Sequence, residues 1–116
     1  MAARGTRDAR LYEGSARYYA QGRLPYPPEL AAVLRDELAL DRKGRLLDVG
    51  CGPGSLTLLL APFFEEVVGV DSDAGMIAEA ARQAALRGVG NARWAMSPAE
   101  ALPGDLGVFR VATFAQ

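Results

Sequence analysis

Residues 46–60 read L-L-D-V-G-C-G-P-G-S-L-T-L-L-L. An apolar run ends at Val49, glycines alternate at Gly50, Gly52 and Gly54, and a leucine-rich segment opens at Ser55. The pattern is that of a buried strand, a tight turn and a helix. Glycine in such a turn admits positive φ and keeps Cβ atoms out of a ligand's way. In an open α/β sheet this turn lies beyond the carboxyl end of its strand, where ligands bind.

Working outward, the same alternation recurs. E-V-V-G-V-D, residues 66–71, is a second buried strand, and Ser72 or Asp73 caps a helix that runs to Gly88. Met76, Ile77, Ala80, Ala81 and Ala84 form one face of that helix. A-R-W-A-M, residues 92–96, is a third strand, and S-P-A-E-A-L-P, residues 97–103, is a loop. Residues 107–115 are expected to form a fourth strand, apolar on both faces apart from Arg110 and Thr113. Before the first strand, Pro28 opens a helix to about Leu40, with Leu30, Val33, Leu34 and Leu38 on its apolar stripe. Alternating strands and helices predict a Rossmann-like, doubly wound parallel α/β sheet in the order 3-2-1-4. The expected fourth strand lies at the edge and is rich in apolar residues. It is a template for pairing with another chain, and its position suggests a sheet truncated after the fourth strand.

Composition sets outer limits. The chain has 116 residues, half of them hydrophobic, and a net charge of −1. That suits one small domain. No histidine is present, and Cys51 is the only cysteine, which excludes histidine-based catalysis, an internal disulfide and a multi-cysteine zinc site. No apolar stretch is long enough to span a bilayer, and the N-terminus lacks the apolar core of a secretory signal. A cytoplasmic location is expected. A nucleic-acid partner is supported only by the arginines of the first 23 residues.

The ligand class follows from the loop. Asp71 ends the second strand 21 residues beyond Gly50, placed to accept hydrogen bonds from two ribose hydroxyls. A dinucleotide fingerprint anchored at Gly50 and Gly52 would want its third glycine at position 55, which is Ser55. Pro53 removes a further N–H that a pyrophosphate could use. Asp48, just before the loop, would repel phosphate and welcome an ammonium or sulfonium group. A cationic adenosine ligand fits better than a dinucleotide, although half of a nicotinamide-dependent oxidoreductase remains an alternative.

These residues carry a resemblance. L-L-D-V-G-C-G-P-G-S-L-T-L-L-L-A is similar to motif I of the class I S-adenosylmethionine (SAM)-dependent methyltransferases, and residues 67–81 to the segment that follows it. S-P-A-E-A-L-P resembles the family's adenine-side loop, and residues 18–27, Y-Y-A-Q-G-R-L-P-Y-P, the N-terminal lid of its small-molecule branch. The resemblance implies a lid over residues 1–27 and the N-terminal part of a SAM-binding domain over residues 28–116. It implies that Asp48, Gly50, Cys51 and Gly52 hold the methionine portion of SAM and Asp71 the ribose. Ser72 and Met76 would flank the adenine, with Ala99 and Glu100 along its other edge, while Tyr19 and Arg23 would close over the carboxylate end. The implied acceptor is a small molecule, and its binding residues and general base lie beyond what this sequence names. Pro98 and Leu24 depart from the family pattern, which commonly has aspartate and proline there. A non-catalytic SAM-binding module that pairs through its fourth strand is the alternative from a different functional class. Two residues have simpler readings. Cys51, with no cation nearby to lower its pKa, reads as an inert small side chain, and Trp94 reads as core.

Overall fold

The computed structural model describes residues 26–98 and 106–114. In chain order the elements are helix α1 (Glu29–Glu37), strand β1 (Arg45–Val49), helix α2 (Ser55–Leu60), a 3-10 turn (Ala61–Phe63), strand β2 (Glu66–Asp71), helix α3 (Ala74–Leu86), strand β3 (Ala92–Met96) and strand β4 (Val111–Phe114). The four strands are parallel in the order β3-β2-β1-β4. The expected fold class and strand order are borne out.

Both faces of β1 and β2 are covered, which explains their near-continuous apolar sequence. On one face Leu46 and Val67 pack with Leu34 of α1, Leu60 of α2, Ala61 and Phe64. On the other, Leu47, Val49, Val68 and Val70 pack with Ala95, Leu106, Phe109 and Ala112. Each fully buried Leu or Val contributes roughly 1.5–3 kcal/mol of hydrophobic free energy. Leu46, Leu60, Val67 and Val70 are the largest such apolar side chains.

Three expectations need correction. Helix α1 stops at Glu37, because Ala39 takes φ 52° and the N–H groups of Ala39 and Leu40 turn back onto the Asp36 and Arg35 carbonyls. Val33, expected on the buried stripe, is 54% exposed, and Leu34 carries the contact instead. Strand β4 is also shorter than expected and begins at Val111. The residues before it are pinned by two arginines. Arg45 donates to the carbonyls of Leu106 (2.8 Å) and Val108 (3.3 Å), and its guanidinium stacks over Phe109. Arg110 pairs with Asp41 and donates to the carbonyls of Ala39 (2.8 Å) and Lys43 (3.1 Å), tying the start of β4 to the α1–β1 turn.

The register produces one row that matters for function. Trp94 of β3, Gly69 of β2, Asp48 of β1 and Thr113 of β4 lie side by side across the sheet. This row is one residue pair below the strand ends that carry the glycine loop.

Candidate functional site

The loop from Gly50 to Gly54 turns because its glycines adopt left-handed conformations, with φ of 71° at Gly50, 57° at Gly52 and 88° at Gly54. The backbone N–H groups of Gly50 and Cys51 both donate to the Val70 carbonyl, at 2.7 and 2.9 Å. Gly52 N–H donates to Asp71 Oδ2 at 2.9 Å, and Gly54 N–H to the Cys51 carbonyl at 3.1 Å. Pro53 has no N–H. Every donor that the loop backbone possesses therefore has an acceptor within the chain, so the loop is a poor receptor for phosphate.

The acceptors around the loop are carboxylates. Asp71 closes across it: Oδ2 takes the Gly52 N–H while Oδ1 takes the Asp73 N–H at 2.9 Å. Each carboxylate oxygen accepts a second hydrogen bond, so this strap retains capacity for a vicinal diol. Of the two candidate caps for α3, it is Asp73 that serves, accepting from Gly75 (2.7 Å) and Met76 (3.3 Å). Ser72 is exposed beside Asp71, and Met76 is 41% exposed, so it is not a core residue.

Asp48 lies deeper than the loop, with only 1% of its surface exposed. Thr57 Oγ1 of α2 donates to its Oδ2 at 2.6 Å and Thr113 Oγ1 of β4 to its Oδ1 at 2.9 Å. The carboxylate thus joins β1, α2 and β4 directly beneath the loop. Cys51 is buried, and burial pushes its thiol far above the ordinary range, with the Asp48 and Asp71 carboxylates raising it further. A thiol so placed is protonated and inert. The same two charges give the loop an acidic surround.

Tyr19, Arg23, Ala99 and Glu100 lie outside the described residues. The structure therefore brings Asp48, Gly50, Cys51, Gly52, Asp71, Ser72 and Met76 to one end of the sheet. It adds residues that the sequence reading passed over. Thr57 and Thr113 hold Asp48, and Met96, 61% exposed, ends β3 directly opposite Asp71. Thr57 had a signal, since it is the one polar residue inside the run Leu56–Leu60. Thr113 had the same signal, as a polar residue in an otherwise apolar strand, but its partner is 65 residues away and could not be read from it.

A nucleoside sulfonium suits this arrangement. An open space surrounds Gly52, where an added Cβ would meet nothing within 4 Å. Beside it stand a ribose-competent carboxylate and an acidic field that attracts cations. Among the described residues no group of three or more His, Cys, Asp or Glu side chains could hold a metal ion. No helix among them is long and apolar enough to cross a membrane.

Comparison with known proteins agrees. The family described as "Methyltransferase domain" matches residues 46–116, and the chain belongs to it. The expected class of SAM-dependent methyltransferase is thereby borne out at the level of family and fold. Among curated proteins, the chain is 48% identical over 50 residues to the 23S rRNA (uracil(1939)-C(5))-methyltransferase RlmD of Stenotrophomonas maltophilia, a stretch covering 43% of this chain and 11% of that protein. It is 39% identical over 59 residues to the uncharacterized methyltransferase YcgJ of Bacillus subtilis, covering 51% of this chain and 23% of that one. The crystal structure of YcgJ superposes with a TM-score of 0.67 and 29% identity, over 74% of this chain and 37% of that chain. An S-adenosylmethionine-dependent methyltransferase from Clostridium acetobutylicum superposes with a TM-score of 0.63 and 26% identity, over 75% and 34% of the two chains. The chain thus spans at most about a quarter of the curated relatives' length and about a third of these solved structures.

Proposed function

We infer that this chain holds the cofactor of a SAM-dependent methyltransferase acting in the cytoplasm. The observation that carries this reading is the polarity of the loop. Its N–H groups are all engaged, whereas Asp48 and Asp71 surround it with negative charge. That polarity selects a cationic ligand over a pyrophosphate and disfavours the nicotinamide alternative. When bound, SAM supplies a methyl already activated by its sulfonium. The chain's part is to hold and orient that methyl. Asp71 accepts from the ribose hydroxyls, the bare backbone at Gly52 admits the methionine portion, and Met76 and Ser72 line the adenine side. Asp48 acts from below, fixing the loop and adding to the field, because its buried carboxylate is engaged by Thr57 and Thr113. Ala99, Glu100, Tyr19 and Arg23 keep the roles that the family resemblance implies, and residues 1–27 the role of a lid.

For the acceptor, we propose a small molecule. The segment Y-Y-A-Q-G-R-L-P-Y-P resembles the small-molecule branch, and a net charge of −1 offers little to a polyanion. The similarity to RlmD favours an RNA acceptor as a second reading, although it covers 11% of that protein. Calorimetric titration of the chain with SAM, S-adenosylhomocysteine and NADH tests the cofactor assignment. Saturable binding of the two adenosyl ligands and none of NADH is expected. NADH binding without SAM binding would overturn the reading.

A further inference from the structure

The glycines around the loop are not equivalent. An added Cβ at Gly52 would meet open space, whereas at Gly54 it would lie 2.8 Å from Trp94 Cη2 and 3.1 Å from Ala80 Cβ. At Gly69, in the middle of β2, it would lie 2.5 Å from Trp94 Cζ3, 2.6 Å from Cε3 and 3.0 Å from Cys51 Sγ. The indole therefore occupies the space that side chains at two glycines would need. The outer edge of its six-membered ring, Cε3–Cζ3–Cη2, faces both the strand at Gly69 and the loop's exit into α2 at Gly54. Only a glycine at 69 admits the ring, and only a glycine at 54, already at φ 88°, lets the loop settle on it.

We propose that Trp94 is a positioning residue for the cofactor loop: its indole, set against Gly69 and Gly54, fixes where the backbone of residues 50–54 stands and hence the affinity for the cofactor. The inference depends on the proposed function only for the identity of the ligand. The link from ring to loop is physical and can be read without one. Trp94 is half-buried, not sealed in the core, and it is the only tryptophan in the chain. Its emission therefore reports this one wedge.

Two variants separate positioning from simple packing. Gly69→Ala puts a methyl into the ring's place and displaces the ring from its seat against the loop. Trp94→Leu removes the ring and vacates that place. Either change alone is expected to speed amide hydrogen exchange at Gly50, Cys51, Gly52 and Gly54 about ten-fold or more, relative to the amides of Leu46 and Val67 in the same chain. The Gly69→Ala/Trp94→Leu pair should recover most of that protection, because the new methyl enters the space the ring has left. SAM affinity, measured by calorimetry on the same proteins, should follow the same order, with losses of about ten-fold in the single variants and partial recovery in the pair. In the unsubstituted chain, saturation with S-adenosylhomocysteine should change Trp94 emission. Loop exchange that stays at the unsubstituted rate in folded Trp94→Leu would overturn the proposal, and so would a pair no better than Gly69→Ala. If both single variants fail to fold, unchanged Trp94 emission despite calorimetric binding would overturn it. If SAM fails to bind the unsubstituted chain, the cofactor reading falls, and the exchange rates still decide the role of Trp94.

Discussion

Asp71 is a residue with two employments, and they can be separated by substitution. Its carboxylate already accepts from Gly52 and Asp73, and the proposed ribose contacts would use the lone pairs that remain. Asp71→Ala removes both employments. Asp71→Asn keeps the volume but turns an NH2 group toward one of the two backbone donors. Hydrogen bonds to a charged acceptor contribute roughly 1.5–3 kcal/mol, so loss of the proposed ribose contacts should weaken SAM binding in both variants by about ten-fold or more in calorimetry. Cys51→Ala, by comparison, should alter the dissociation constant by less than about two-fold. An Asp71→Asn protein that binds as the unsubstituted chain does would remove the strap from the site. Cys51 answers to a different measurement. Its folded-state pKa is raised above the ordinary value of 9.0, chiefly by burial and then by Asp48 and Asp71. Below that pH both folded and unfolded chains keep the proton and the contribution to stability is whole. As pH rises past it, the unfolded chain ionises first and the contribution is lost, at up to roughly 1.4 kcal/mol per pH unit for one proton. Urea midpoints at about pH 8 and about pH 10 should therefore fall further for the unsubstituted chain than for Cys51→Ala.

Between elements, the Asp48 carboxylate is the joint. Thr57 brings α2 to it and Thr113 brings β4, so a change in either hydroxyl is felt by two elements at once. Thr113→Val preserves shape and removes one donor from a carboxylate that is almost wholly buried. It should lower stability by roughly 1–3 kcal/mol, read from urea melts, and it should loosen β4 more than β2 in hydrogen exchange. Equal loosening of both strands would mean that the joint is general core packing. This scale also shows how far the sequence was legible. β1, β2 and β3 were readable almost to the residue, because strands covered on both faces announce themselves as apolar runs between turn residues. The end of α1 was not readable, since the periodicity of Leu30, Val33, Leu34 and Leu38 continues past the point where Ala39 goes left-handed. The start of β4 was hidden for a related reason. Gly107–Arg110 has the apolar character of a strand, but the partners that hold it are Arg45 and the α1–β1 turn, far away in sequence. The site divides in the same way: Asp48, the glycines and Asp71 lie in local patterns. The donors to Asp48 and the wedge at Trp94 arise only from the register that aligns Trp94, Gly69, Asp48 and Thr113.

For the molecule as a whole, the open question is what lies against the outer edge of β4. Among the described residues β4 is paired only with β1, and Phe114, at its end, is 38% exposed. An edge with unpaired backbone groups and an apolar tip recruits another strand. Two occupants are available: a further segment of a longer protein, as the relatives' greater length suggests, or a second copy of this chain. In a solution of the 116-residue chain, a second copy is the occupant that concentration can supply. We therefore expect it to self-associate as its concentration rises in analytical ultracentrifugation. Phe114→Lys puts a desolvation cost and, in a symmetric pairing, a like-charge contact at that edge, and it should weaken association by about ten-fold or more. The outcome also bears on function. Association together with SAM binding but without methyl transfer to any acceptor would favour a cofactor-binding module that works by pairing. A chain that stays monomeric at high concentration and binds SAM would leave the β4 edge without a role in self-association.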